Sequence, residues 1–192
     1  MPHADLDVSP FIAQFAPLIP AGARVLDLAA GTGRHARFFA ARGARVLAVD
    51  RDAAALVAYA GTPGIETRVL DLETGTWPLA SEVFDAIVVA NYLHRPLFPH
   101  LRRALAPDGV VLYETFAIGN EQFGRPANPD FLLRQGELLA FAAAPPLPLT
   151  VVAYLQGRDD AGGRTAVVAR LAAVGPAYRG PALLPPAPPP PS

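Results

Sequence analysis

The chain contains no cysteine, so disulfides, thiolate metal sites and a cysteine nucleophile are excluded. Charge is sparse: 17% of residues are charged, against about 25% in an ordinary globular protein. No basic cluster exceeds Arg102-Arg103, and the formal net charge is −1. Binding to a phosphate backbone draws on clustered Lys and Arg, so no nucleic-acid partner is expected. No apolar run reaches the roughly 18 residues of a membrane span. The longest apolar segment, 83–93, carries Asp85 and Asn91. Residues 1–10 include Asp5 and Asp7 but neither a basic stretch nor an apolar core, so no signal peptide is expected. His3, His35, His94 and His100 form no pair at the three- or four-residue spacing of metal ligands, so no metal site is expected. These absences leave a cytoplasmic protein with no membrane partner as the expectation.

What remains is apolar and regularly punctuated. A length of 192 residues suits one domain, and 52% hydrophobic content can fill its core. Ser9-Pro10 reads as a helix start over residues 10–16. Strands are expected at 23–28, 44–49, 67–70, 84–90 and 110–113. Helices between them are expected at 34–42, 53–60 and 97–106. Asp52 caps the helix at 53–60 in this reading, and Pro107-Asp108-Gly109 closes the one at 97–106. Such alternation predicts right-handed crossovers and a parallel sheet covered on both faces. Residues 117–130, with two glycines and two prolines, read as a long functional loop. A helix at 134–144 and a hairpin of strands 151–155 and 165–171 around Asp159-Asp160-Ala161-Gly162-Gly163 complete the domain. The fold class is therefore a Rossmann-like three-layer α/β sandwich. Its seven-stranded sheet is mostly parallel and ends in an antiparallel hairpin. The domain is taken as 1–174, with 175–192 a proline-rich disordered tail.

Ligands of such sheets bind at the carboxyl ends of the strands. Those ends carry Asp27, Asp50, Asp71, Asn91 and Glu114, which packing alone does not account for. The first strand runs into Asp27-Leu28-Ala29-Ala30-Gly31-Thr32-Gly33. Gly31 and Gly33 let the backbone turn tightly and approach a ligand, and a helix N-terminus follows. Gly31-Thr32-Gly33-Arg34-His35-Ala36 also fits the dinucleotide fingerprint, with Asp50 placed to hold ribose hydroxyls. Asp27 separates the readings. A carboxylate so near would repel a pyrophosphate but favours a sulfonium or an ammonium. Asp71 is placed to accept from an adenine amino group.

On these residues the chain resembles the class I S-adenosylmethionine-dependent methyltransferases, from about residue 23 to residue 171. Asp27, Gly31 and Gly33 match the family's acidic-x-Gly-x-Gly-x-Gly motif, with Ala29 in place of its first glycine. Phe84-Asp85 and Pro107-Asp108-Gly109 match the usual lead-ins to the fourth and fifth strands. The resemblance implies S-adenosylmethionine as cofactor, held by Asp27, Ala29, Gly31, Gly33, Asp50, Arg51, Asp71, Leu72 and Asn91. In it Asp50 takes both ribose hydroxyls and Asp71 with the backbone of Leu72 takes adenine, while Asn91 and Tyr92 lie beside the methionyl part. Gly-x-Gly-Arg in the loop and Gly136-Glu137-Leu138 further resemble small-molecule methyltransferases of the tellurite-resistance type.

The expected reaction is methyl transfer to an unidentified small-molecule acceptor. Catalytic candidates are His94, as base or substrate ligand, and Tyr92. His35, Arg95, Glu114 and Arg125 are candidates for the substrate pocket. A plain ion pair of Glu114 with Arg125 or Arg95 is the competing reading. Two other functions fit the glycine loop: a nicotinamide-dependent oxidoreductase, and a non-catalytic Rossmann-like binding module.

Overall fold

The computed structural model describes residues 8–160 and 164–181. Ser9 caps α1 (Pro10–Phe15) through its hydroxyl, and Pro10 fills the first helical position, where no N–H is needed. There follow β1 (Arg24–Leu28), α2 (Arg34–Ala41), β2 (Arg45–Asp50), α3 (Ala53–Val57), β3 (Ile65–Val69) and β4 (Phe84–Ala90). The chain continues through α4 (Phe98–Ala104), β5 (Leu105–Phe116), α5 (Glu137–Ala143), β6 (Thr150–Asp159) and β7 (Ala166–Val174). The sheet order is β3-β2-β1-β4-β5-β7-β6. The first five strands are parallel, and β7 runs antiparallel to both β5 and β6. This is the seven-stranded sandwich that the alternation of elements predicts.

Two apolar layers cover the sheet, as the two-residue period of its strands requires. Leu26, Leu28, Leu47, Val49, Ile87 and Val89 face the layer of Trp77, Leu101 and Phe141. Val25, Val46, Ala48, Ala86 and Val88 face α1 and α2 through Phe11, Ile12, Phe15 and Phe39. Among the described residues no helix is long and apolar enough to cross a membrane.

Several boundaries differ from the expectation. β5 starts at Leu105, before Pro107-Asp108-Gly109. Leu105 pairs with Phe84 and Val110 with Ala86, so those three residues bulge from a continuing strand. α5 starts at Glu137, because Gly136 holds a left-handed φ of 72°. β6 and β7 are longer than the hairpin pattern shows, and β3 begins two residues earlier. Residues 161–163 of the expected turn lie outside the described residues.

Residues 175–181, read as the start of a tail, are held on the domain. Gly175 N–H donates to the Gly109 carbonyl at 2.8 Å and Ala177 N–H to the Pro107 carbonyl at 3.0 Å. Tyr178 donates its hydroxyl to the Leu18 carbonyl at 3.0 Å. Residues 182–192, the rest of that segment, lie outside the described residues.

Candidate active site

Asp27 stands on the same face of β1 as Val25, under the start of α2, and is 1% exposed. It accepts a hydrogen bond from the N–H of Ala36. The N-cap of α2 is Gly33, which has no side chain to cap with, so the carboxyl reaching up from the strand satisfies the helix N-terminus. Its Oδ2 has no hydrogen-bond partner. Burial pushes the carboxyl from its ordinary 3.8 up to about 7, against the pull of Ala36 and Arg34.

The loop that follows takes positive φ at Ala29 (54°), Gly31 (52°) and Gly33 (77°). Ala29 thus adopts the left-handed backbone for which the family's first glycine is suited, at a cost of roughly 1 kcal/mol. A Cβ on Gly33 would lie 2.5 Å from the Tyr59 ring, so glycine there is required by space as well as by φ. The Tyr59 hydroxyl is buried without a partner. Burial, then Asp27 and Asp50, raise its pKa.

Asp50 ends β2 and holds this loop in place. Its Oδ2 accepts from Gly31 N–H at 2.8 Å and its Oδ1 from Asp52 N–H at 2.9 Å. The helix cap belongs to Asp52, which accepts from Ala54 and Ala55. Each carboxylate oxygen of Asp50 retains a second acceptor position.

A cleft of about 440 Å³ opens at the carboxyl edge of the sheet. Of the expected cofactor residues, Ala29, Asp50, Arg51, Asp71, Leu72 and Asn91 line it, as does Tyr92. Asp27, Gly31 and Gly33 are not among its lining residues. The remaining walls are Leu70, Glu73, Leu93, Thr115, Phe116, Pro126 and Phe131, of which Leu93 follows the expected Asn91 and Tyr92 and Pro126 lies in the 117–130 loop read as functional. Thr115 and Phe116 directly follow the strand-end acid Glu114, which was the available signal. Tyr92 donates its hydroxyl to Glu73 at 3.3 Å. Burial and then Glu73 raise its pKa, in keeping with a protonated hydroxyl that donates to Glu73.

The expected substrate-pocket residues lie elsewhere. His35 is 3% exposed and its Nε2 accepts from Ser9 N–H at 3.4 Å. Burial, then Arg34, lower its pKa to about 3, so it is a neutral tie between α1 and α2. Arg95 is spent on Glu137 (2.6 and 3.0 Å) and on the carbonyls of Asp130 and Leu132. Glu114 pairs with Arg170 at 2.9 Å, not with Arg125 or Arg95. The two face each other across the β5–β7 ladder. Arg125 is exposed, and only its neighbour Pro126 reaches the cleft wall. His94 precedes the short 3₁₀ turn Arg95–Leu97 and is not among the lining residues. Among the described residues no cluster suits a metal ion.

Residues 25–109 match the family described as a methyltransferase domain. That match covers fewer than half of the residues, and the seven-stranded sheet with its closing antiparallel hairpin is the Rossmann-like fold of methyltransferases. Its fold is similar to that of TehB from Haemophilus influenzae, with TM-score 0.72 and 19% identity over 88% of this chain and 62% of that one. The chain thus spans less than two thirds of that protein. A TehB-like S-adenosylmethionine-dependent methyltransferase from Corynebacterium glutamicum matches with TM-score 0.60 and 20% identity, over 88% of this chain and 89% of that one. The N-methyltransferase NodS from Bradyrhizobium japonicum matches with TM-score 0.62 and 20% identity, over 88% and 99%. No curated protein sequence matches the chain. The oxidoreductase and the non-catalytic module find no support in these likenesses. The site also disfavours a dinucleotide, because the first-turn N–H that a pyrophosphate would use is taken by the Asp27 carboxyl.

Proposed function

We propose that the methyltransferase domain moves the methyl group of S-adenosylmethionine onto a small-molecule acceptor bound in the same cleft. The observation that carries this reading is Asp50, whose carboxylate is fixed by two backbone N–H groups at the rim of the cleft. So fixed, it offers its free lone pairs to a ribose diol without having to order itself first. Asp71 accepts from Glu73 N–H at 2.9 Å, which leaves its other oxygen for an adenine amino group, with the Leu72 backbone beside it. The left-handed backbone at Ala29 and Gly31 brings main-chain groups close to a methionyl chain, with Asn91 on the opposite wall. The unpartnered Asp27 Oδ2 behind the loop suits a ligand that brings an ammonium and a sulfonium, directly or through water.

Bound there, S-adenosylmethionine supplies an activated methyl on a sulfonium. The protein's own contribution is alignment and exclusion of water. Tyr92 and Glu73 form one hydrogen-bonded wall, and Phe116, Pro126 and Phe131 close the side under the 117–133 loop. Calorimetric titration with S-adenosylmethionine and S-adenosylhomocysteine tests the reading. Micromolar binding of both is expected, and absence of heat at high protein concentration would sink it.

A further inference from the structure

The charges of the cleft are unevenly placed. The ends of β2 and β3 bring Asp50, Asp71 and Glu73 into it, against the single guanidinium of Arg51. All sixteen basic residues of the chain are arginine, and none falls in the segments outside the described residues. Among the described residues Arg51 alone of these sixteen lines the cleft. Arg95, at the base of the loop, has its donors spent on Glu137 and two carbonyls. Arg170 is held between Glu114 and Asp159.

The part of the cleft left over by the cofactor reading lies at the ends of β4 and β5. It is formed by Leu93, Thr115, Phe116, Pro126 and Phe131. It presents two aromatic rings and a proline, and no titratable side chain. Phe131 is 52% exposed with the cleft open, so a planar apolar body laid on it would cover a large apolar surface. An anion entering here meets a cleft whose three carboxylates outnumber the one guanidinium of Arg51, and sheds its hydration against apolar walls that do not replace it. In this part of the cleft no titratable side chain stands ready to take a proton from an acceptor, and Glu73, among the carboxylates elsewhere in the cleft, already accepts from Tyr92.

We infer that the acceptor is an uncharged lone-pair nucleophile on an apolar, planar body, such as an aromatic nitrogen or a thioether, and not an oxyanion. This rests on the methyl-transfer reading above. In the step, the acceptor's lone pair forms the bond to the methyl carbon, and the sulfur–methyl bond breaks with its electron pair going to sulfur. The sulfonium becomes the neutral thioether of S-adenosylhomocysteine and the acceptor becomes a cation. No proton is released, so the step needs no base. The positive charge stays within a cleft that already favours it.

The test follows S-adenosylhomocysteine release by the full chain with pyridine- and quinoline-type heterocycles and an aryl methyl thioether, against tellurite, selenite and benzoate. A kcat/KM at least about tenfold higher for one of the neutral compounds than for every anion is expected. Phe131→Ala should raise KM for that compound about tenfold while leaving the Kd of S-adenosylmethionine unchanged. Phe131→Leu should restore part of the loss. Turnover of the anions in preference, turnover of neither class by protein that binds S-adenosylmethionine, or an unaltered KM in Phe131→Ala would overturn the inference. Failure to bind S-adenosylmethionine at all would instead overturn the functional reading beneath it.

Discussion

The Asp50 carboxylate receives the N–H of Gly31 at 2.8 Å, so the end of β2 fixes the loop after β1 before any ligand is present. Two roles therefore meet in one side chain: it orders the loop, and on the proposed reading it grips the ribose. Asp50→Ala would release two backbone N–H groups and two ribose hydroxyls. Hydrogen bonds to a charged group contribute about 1.5–3 kcal/mol each, so S-adenosylmethionine affinity should fall by roughly a hundredfold or more. Melting temperature should also drop. Asp50→Asn, which keeps a single acceptor oxygen, should lie between the two. Titration calorimetry beside thermal melts separates the roles, and an Asp50→Ala protein with unchanged affinity would contradict the assignment.

The buried pair Asp27 and His35 predicts a pH dependence with opposing limbs. Burial raises the Asp27 carboxyl to about 7 in the fold, from about 3.9 in the unfolded chain. The folded state therefore holds the proton more tightly between those values, and stability falls as pH rises from about 4 to 7. His35 is lowered to about 3 by burial, from about 6.5 unfolded, so stability falls as pH drops from about 6.5 to 3. Between about pH 4 and 6.5 the two slopes oppose each other. Their contribution to the unliganded protein should be nearly flat there. Asp27→Asn should expose the His35 limb, with stability rising over that window, and His35→Gln should expose the reverse slope. Denaturant melts at half-unit pH steps on the two variants provide the check.

The glycine loop predicts a graded series. Gly31 has open space for a Cβ but a φ of 52°, so Gly31→Ala should cost about 1 kcal/mol. Gly33→Ala adds a collision with the Tyr59 ring and should cost about 2–4 kcal/mol. Ala29→Gly relieves left-handed strain while adding unfolded-state entropy, so it should be neutral or stabilising by up to about 1 kcal/mol. A double-mutant cycle of Gly33→Ala with Tyr59→Ala should return a coupling of at least about 1 kcal/mol. Additive effects would show that the ring is not the obstacle.

Much of the fold is legible because its strands are short apolar runs stopped by Gly, Pro or Asp. β4 agrees with the reading residue for residue, since Phe84 to Ala90 is apolar apart from Asp85. Asp50 and Asp71 were legible as residues of the cleft because they stand at or just past the carboxyl ends of β2 and β3, where the ligands of parallel sheets bind. β5 misled because Pro107-Asp108-Gly109 has the chemistry of a turn, and a bulge uses the same chemistry within a strand. The arginines were not legible at all. Arg95 and Glu137 are 42 positions apart, and Glu114 and Arg170 are 56 apart. Their pairing depends on which elements become neighbours, and β7 stands beside β5 only because the last two strands insert out of sequence order. His35 failed for a similar reason: its partner Ser9 comes from a helix whose docking position no local pattern records.

Arg95 fastens the loop above the cleft, and its removal should register in acceptor binding before it registers in cofactor binding. Arg95→Ala leaves the carbonyls of Asp130 and Leu132 without their guanidinium donor and the Glu137 carboxylate with the Arg134 N–H in place of the ion pair. A loss of about 2 kcal/mol in stability is expected, together with faster proteolysis within residues 117–133. KM for an acceptor should rise several-fold, with the Kd of S-adenosylmethionine nearly constant. Equal weakening of both ligands would show that the loop serves the cofactor instead.

The out-of-order insertion of the last strand also governs how the molecule comes into being. β5 is an interior strand of the finished sheet, yet one of its edges has no neighbour until β7, Ala166–Val174, has been synthesised. Until then a nascent chain carries an open row of N–H and carbonyl groups beside buried-type side chains, the kind of edge on which aggregation starts. Closing it requires contacts between residues some 60 positions apart, such as Val110 with Val174, which slows the final step. Chains cut short before Val174 should therefore collect as insoluble material even with every residue of the proposed cofactor site present, and the sheet is completed only once β7 has been made.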